Sequence, residues 1–127
     1  MHQPTRGWNH WVRVTNDSFA KLLQIEGFVM RNDLLKLFWM YANNNKLKRN
    51  GKELIFDSNL EKIFQLKAYS SLRISSLFPT ETVKREVWDQ PCAIFTRKHS
   101  DENDKSFVVV QRDANNEHET ILRYVSF

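Results

Sequence analysis

The stretch RNDLLKLFWMYANNNKLK, residues 31–48, decides the fold of this chain. Its apolar residues recur at i, i+3, i+4 and i+7, which places four of them on one face of an α-helix: Leu34, Leu37, Phe38 and Tyr41. A second apolar stripe, rotated from the first, consists of Leu35, Trp39 and Ala42. Asn32 or Asp33 can cap the helix, and the asparagines at 43–45 end it. A helix with two apolar stripes is either deeply buried or open to a partner on one side.

Shorter elements are predicted on both sides of this helix. A capped helix over residues 18–25 precedes it, with Gly27 in the turn beyond that helix's end. A basic loop with the turn dipeptide Asn50-Gly51 follows, then a strand over 53–56. Asp57 or Ser58 caps the next helix, and a serine-rich helix over 70–78 stops at Pro79.

The last forty residues have a different pattern. Residues 92–97, 106–112 and 120–127 are rich in strand-forming side chains and are separated by polar links of hairpin length. They predict a three-stranded antiparallel meander. Both faces of the run FVVV are apolar, so we expect it to be the middle strand, covered on one face by the helices and on the other by a partner. Phe127 predicts a docked C-terminus.

Composition excludes several classes of protein. The chain has 127 residues, 13% of them aromatic, which is enough for a core without disulfide or metal support. Its single cysteine excludes an internal disulfide and a cysteine-based zinc cluster. No apolar run approaches the roughly 20 residues that span a bilayer, and residues 1–30 lack the apolar core of a secretory signal. We therefore expect an intracellular protein with no membrane partner.

The net charge of +4 is concentrated in two basic regions. The loop after the main helix carries Lys46, Lys48, Arg49 and Lys52, and residues 1–14 form an acid-free aromatic arm with Arg6 and Arg13. These cations are either solvated surface groups or contacts for nucleic-acid phosphates. The tryptophans of the arm either stack on nucleobases or anchor the arm to its own domain.

We expect no catalytic role and no cofactor, metal or small-molecule substrate. His2, His10, His99 and His118 are scattered and lack the helical spacing of hydrolytic zinc sites. Cys92 has no neighbouring base in sequence and is interpreted as a small apolar core residue. Three glycines in all provide no phosphate-binding loop.

Residues 7–79 resemble a SWIB domain. The resemblance rests on five motifs in order, namely DSFAKLL at 17–23, Arg31 before the long helix, FWMY at 38–41 in place of Leu-Trp-x-Tyr, IFD at 55–57, and the Leu-x-x-x-Phe helix at 60–64. The chain departs from the family at Lys48-Arg49-Asn50-Gly51, which replaces a longer Gln-Asp-Pro loop. SWIB domains occur in chromatin-remodelling and transcription complexes and in organellar proteins.

The resemblance implies an apolar groove that holds a helical segment of a partner. By helix position, the groove would be lined by Leu35, Trp39, Ala42 and Leu47. Such binding needs a dry slot with room for anchor side chains. The large Trp39 side chain is therefore expected either to close the groove or to pack against the last helix.

The sequence thus predicts an α+β fold, in which a small SWIB-like helical domain with short strands is followed by a three-stranded antiparallel meander. The predicted division is an arm (1–14), the SWIB-like domain (15–80) and a β extension packed on it (87–127). The expected function is a non-catalytic protein-interaction subunit of a nucleic-acid-associated complex, of the nuclear SWIB-type chromatin or transcription kind. The alternative is a structural subunit of a ribonucleoprotein such as a mitochondrial ribosome. The expected partners are other protein subunits, with DNA or rRNA contacted through the basic loop and arm.

Overall fold

The structure is a computed structural model in which residues 11–99 and 106–127 are described. The helices of these residues are α1 (Asp17–Leu22), α2 (Arg31–Asn44), α3 (Ser58–Phe64) and α4 (Arg85–Trp88), with a 3₁₀ helix at Ser71–Leu77. The strands are β1 (Trp11–Val14), β2 (Phe28–Met30), β3 (Arg49–Asn50), β4 (Glu53–Ile55), β5 (Ala68–Ser70), β6 (Thr80–Thr82), β7 (Ile94–Lys98), β8 (Phe107–Arg112) and β9 (Glu119–Tyr124). The predicted α+β class is confirmed.

The strands form two sheets. The larger has six strands in the order β6-β1-β2-β7-β8-β9, and the smaller has three in the order β3-β4-β5. Strands β2 and β7 pair in parallel, and the other pairs are antiparallel. The predicted meander is present as β7-β8-β9, and β8 is its middle strand as expected.

Local side-chain caps begin two of the helices. Asn16 accepts a hydrogen bond from the backbone N–H of Phe19 at 2.9 Å, and Asp57 accepts one from that of Leu60 at 2.9 Å. The predicted cap of α2 by Asn32 or Asp33 is wrong. Strand β2 leads directly into α2, so the helix begins at Arg31 with no side-chain cap, and both residues lie within its first turn.

The main core lies between the helices and one face of the six-stranded sheet. The first apolar stripe of α2 is buried as predicted, with Leu34, Leu37, Phe38 and Tyr41 at most 4% exposed. Phe107 and Val125 belong to this core, and Phe127 packs against it. The C-terminal strands therefore supply part of the core in which α2 is buried, and the docked C-terminus is confirmed.

The other face of the sheet has its own smaller cluster. Phe28, Phe95, Val108 and Val110 are buried there, and partly buried residues from α4 and β1 pack against them: Val87, Trp88 and Trp11. The sequence predicted that a partner would cover this face of β8. The covering side chains within the described residues come from the chain itself, because the segment after β6 turns back over the sheet as α4.

The parallel pairing of β2 with β7 joins the N-terminal and C-terminal halves. Buried Thr96 uses its hydroxyl twice against the backbone of Glu26, donating to its carbonyl and accepting from its N–H, each at 2.8 Å. At Gly27, which has a positive φ of 69°, an added Cβ would lie 2.0 Å from the carbonyl oxygen of Ile94. Only glycine permits this approach.

This sheet differs from the predicted division of the chain. Residues 11–14, assigned to an arm, form β1 in the sheet between β2 and β6, and residues 1–10 lie outside the described part. The region 87–127 was expected as an extension packed on a separate domain, yet β7 pairs directly with β2. Backbone hydrogen bonding, which the periodicity of side chains does not reveal, makes the two regions one sheet.

Candidate partner-binding surface

The second stripe of α2 is the first component of the candidate surface. Leu35 and Trp39 are half-buried and pack against the main core while keeping part of their side chains accessible. Ala42 is only 3% exposed, so its prediction as a partner contact is wrong. The open part of the stripe is therefore limited to its first two residues.

The end of α2 explains why Ala42 is covered. Lys46 adopts the left-handed conformation with φ of 53°, and the N–H of Leu47 donates to the carbonyl of Ala42 at 3.0 Å. This is a common way to end a helix, although glycine usually occupies the left-handed position. It folds Leu47 back towards the helix, where its half-buried side chain packs against the core.

The small sheet is the second component. Arg49, Leu54 and Tyr69 lie opposite one another across β3, β4 and β5, so their side chains share one face. Leu54 is 1% exposed in the main core, which shows that this face is directed towards the helices. Arg49 lies at one end of this row of three residues, and its guanidinium carbon lies 4.9 Å from the centre of the Trp39 ring.

Trp39 is thus held by aromatic and cationic contacts. Its ring meets that of Phe38 edge-on, with centroids 5.4 Å apart, while Arg49 covers one ring face. A cation over a tryptophan ring at this distance is attracted by the ring's negative face. The indole therefore packs against residues of its own chain on two sides, and whether it closes a groove stays a prediction.

A basic cluster borders the stripe. Lys46, Lys48, Arg49 and Lys52 are exposed, and within residues 11–99 and 106–127 none of them forms an ion pair. Lys46 and Lys48 lie between α2 and β3, and Arg49 and Lys52 lie on the β3-β4 hairpin. The hairpin is anchored at Lys52, whose carbonyl accepts hydrogen bonds from the N–H and the hydroxyl of Ser71, each at 2.8 Å. Of the four cations, Arg49 is the one that lies directly against the stripe, over the ring of Trp39.

Of the two arginines predicted in the arm, Arg13 is not part of this cluster. Arg13 lies in β1, where it pairs with Glu81 at 2.8 Å, and its guanidinium carbon is 5.6 Å from the centre of the Phe28 ring. Both side chains of this ion pair are about half exposed, so the pair is weak and the role of Arg13 as a nucleic-acid contact stays a prediction. Arg6 lies outside the described residues.

Behind the surface, Tyr41 connects α2 to α3. Its hydroxyl donates to Asp57, the capping residue of α3, and accepts from the side-chain amide of Asn59 at 3.3 Å. Burial, followed by the hydrogen bond to Asp57, raises the pKa of Tyr41 to about 12. This link fixes the orientation of α2.

One carboxylate of α2 is also perturbed. Asp33 is 9% exposed, and burial raises its pKa despite the opposing influence of Lys36 and Lys98. Asp33 lies on the side of α2 opposite the second stripe, as its position in the helical repeat requires. We therefore interpret its raised pKa as a consequence of packing and not as part of the candidate surface.

His2 and His10 lie outside the described residues, and the others that were considered for chemistry are not brought together. His99 lies beside Tyr124, with ring centroids 5.6 Å apart, while His118 is exposed in the β8-β9 loop. Among the described residues no group of three or more His, Cys, Asp or Glu side chains could hold a metal ion. Cys92 is exposed with φ of 65° in the turn before β7, so its interpretation as a core residue is wrong.

Sequence reasoning missed Tyr69 and Leu72. Tyr69 continues the row of the small sheet, and its hydroxyl lies 3.4 Å from that of Ser76 in the 3₁₀ helix. Leu72, on the same helix, is 76% exposed. A three-residue strand and an irregular helix gave no periodic pattern that could have indicated either.

Comparisons with protein-family models, curated proteins and solved structures find no match to this chain. In the part of the chain that the structure describes, no helix combines the length and apolar character needed to cross a bilayer.

Proposed function

We propose that this protein is a non-catalytic interaction subunit of a nucleic-acid-associated complex, with a SWIB-like region that binds another protein subunit. The observation that carries the proposal is the half-exposed pair Leu35 and Trp39, with the exposed Arg49 of the β3-β4 hairpin over the Trp39 ring. An apolar strip bordered by positive charge suits a partner segment with apolar anchors and acidic flanks. The SWIB resemblance supports a chromatin or transcription assembly in the nucleus.

Arg49 defines how such a partner would bind. Its side chain is exposed and has no carboxylate partner among the described residues, so it can move off the Trp39 ring when another side chain approaches. A partner carboxylate would then pair with Arg49 or Lys52, and an apolar side chain would replace the guanidinium on the indole. The apolar contact with the indole changes little with salt, whereas the exposed carboxylate pair weakens as salt screens it.

Capture from the source cells with matched variants tests the proposal. The variants are Leu35→Gln on the stripe, Lys52→Gln on the hairpin and Lys84→Gln, an exposed lysine elsewhere, as the control. We expect Leu35→Gln to lose a protein that the Lys84→Gln variant retains in 0.3 M salt and after nuclease treatment. If every captured protein survives Leu35→Gln, the stripe is not the binding surface.

The alternative function, a structural subunit of a ribonucleoprotein such as a mitochondrial ribosome, is favoured by the exposed cluster Lys46, Lys48, Arg49 and Lys52. Its test is the affinity for a mixed-sequence 20-base-pair RNA duplex across a salt series. If the hairpin binds phosphates, Lys48→Gln should reduce the slope of log affinity against log salt by about 1, because one phosphate contact is lost. An equal slope for Lys48→Gln and Lys84→Gln would reject this alternative.

A further inference from the structure

Strand β9 ends the six-stranded sheet. Within the described residues it pairs only with β8, so its outer side presents backbone N–H and C=O groups without strand partners. Exposed edges of this kind are templates for another strand unless charge, proline or a covering segment protects them.

The outer strand is unusually apolar for an exposed edge. The described residues include five large apolar side chains that are exposed, and three of them lie on β9: Ile121 at 43%, Leu122 at 46% and Tyr124 at 51%. Ile121 and Tyr124 lie opposite Val110 and Val108 of β8, so both continue the apolar face of the second cluster. Burial of these side chains by a further strand would extend that cluster.

The two charged residues of β9 do not protect its edge against pairing with another strand, because both form ion pairs within the chain. Glu119 pairs with Arg97 of β7, and Arg123 pairs with Glu26 at 2.8 Å and donates to the carbonyl of Gln24 at 2.9 Å. The segment between them, residues 120–122, is uncharged and exposed. The usual electrostatic protection of an edge strand is therefore absent from β9.

We propose that two copies of this chain associate through β9, whose strands pair antiparallel about a two-fold axis between Ile121 and Leu122. In this register Ile121 lies opposite the partner's Leu122, Thr120 opposite the partner's Arg123, and Glu119 opposite the partner's Tyr124. Apolar residues meet at the axis, and no two like charges face each other. A symmetric pair of identical surfaces is the commonest arrangement of homo-oligomers.

The irregularity in β9 agrees with this register. A shift between Val109 and Val110 leaves Leu122 as the extra residue of the strand. Glu119 and Tyr124 therefore share one face of the sheet, and Thr120 and Arg123 share the other. The proposed pairing places Glu119, Thr120, Arg123 and Tyr124 each opposite a residue from its own face, which a register centred on Ile121 would not do for Glu119 and Arg123.

The interface is expected to be weak. Six paired residues extend about 20 Å, and interfaces below about 1,200 Å² are typical of transient association. We expect a dissociation constant of about 1–100 µM, since a short strand pair must also offset the entropy lost on association.

Sedimentation velocity of the full chain, from about 5 to 500 µM, tests the proposal. The wild-type mass should rise from 15.2 kDa towards twice that value. Leu122→Lys should weaken association at least tenfold, because it brings positive charges together at the axis. Leu72→Lys is the matched control, since it changes another exposed leucine outside the sheet, and it should leave association unchanged.

A mixture of Leu122→Lys and Leu122→Glu should restore the dimer, which a general loss of stability would not explain. Circular dichroism checks that each variant is folded, and Thr120→Lys on the same edge replaces Leu122→Lys if that variant unfolds. A constant mass of 15.2 kDa up to 500 µM would overturn the proposal. So would a dimer that Leu72→Lys weakens as much as Leu122→Lys does, because the interface would then lie elsewhere.

Discussion

Substitution of Gly27 by alanine tests the junction between the two halves of the chain, and Gly51 provides its control. Both glycines have similar backbone conformations, with φ of 69° and 63°. An added Cβ at Gly27 would lie 2.0 Å from the Ile94 carbonyl oxygen, whereas one at Gly51 would have no atom within 4 Å. The two variants therefore share the conformational penalty and differ in the close approach of β2 to β7.

The expected free energies follow from these differences. Gly51→Ala should destabilise the protein by about 1 kcal/mol, because alanine is strained at positive φ but also restricts the unfolded chain. Gly27→Ala must in addition separate β2 from β7 by about 1 Å or more and weaken the two Thr96 hydrogen bonds, each worth about 1 kcal/mol. A total loss of about 3–4 kcal/mol is expected, which is a large part of a typical stability.

Guanidinium denaturation at 25 °C, followed by far-ultraviolet circular dichroism, measures both free energies of unfolding. The comparison is valid if the two variants keep the wild-type m-value, so that the same surface is exposed on unfolding. Equal losses for Gly27→Ala and Gly51→Ala would refute the close parallel packing of β2 on β7, and with it the continuous six-stranded sheet.

Three further predictions concern the core and the candidate surface. Asp33→Asn should raise the free energy of unfolding at pH 7, because burial raises the folded-state pKa of Asp33 and its ionisation opposes folding as the pH rises. The difference from the wild type should vanish below pH 4, where the carboxyl becomes protonated. A double-mutant cycle of Trp39→Leu and Arg49→Gln in urea should give a coupling of about 0.5–1 kcal/mol, and none if the guanidinium does not stack. Deletion of residues 87–127 should leave a chain without cooperative thermal unfolding, since β2 would lose its parallel neighbour.

Strong repeating patterns made part of the fold predictable. The 3.6-residue period of α2 identified its buried face correctly, and the β-rich runs after residue 91 identified three strands and their order. These elements are long enough for apolar side chains to recur several times on the face that is buried. The first two residues of the candidate stripe, Leu35 and Trp39, were found in the same way.

Short elements and backbone contacts could not be predicted from the sequence. Strands β2 and β6 have three residues each, too few to show alternation, and the pairing of β2 with β7 joins residues 67 positions apart in Phe28 and Phe95. Ala42 was misassigned because Lys46 takes the left-handed position at the end of α2, which a glycine usually marks in a sequence. The ion pair of Arg13 with Glu81 was not foreseen, because Glu81 lies on a strand that was not predicted.

The candidate surface is anchored at several points, because the helix that presents it is also buried in the core. One stripe of α2 is buried in the core, where the hydroxyl of Tyr41 donates a hydrogen bond to Asp57. The ring centroids of Tyr41 and Phe127 lie 6.3 Å apart, so Phe127 packs against the helix that presents Trp39. The hairpin on the other side is fixed to the 3₁₀ helix through Ser71. A surface that is already ordered loses little conformational entropy on association. Most of the conformational entropy lost on binding would then come from a flexible partner. In the proposed function the C-terminal residues would act indirectly, because Phe127 packs against α2 and not against the candidate surface.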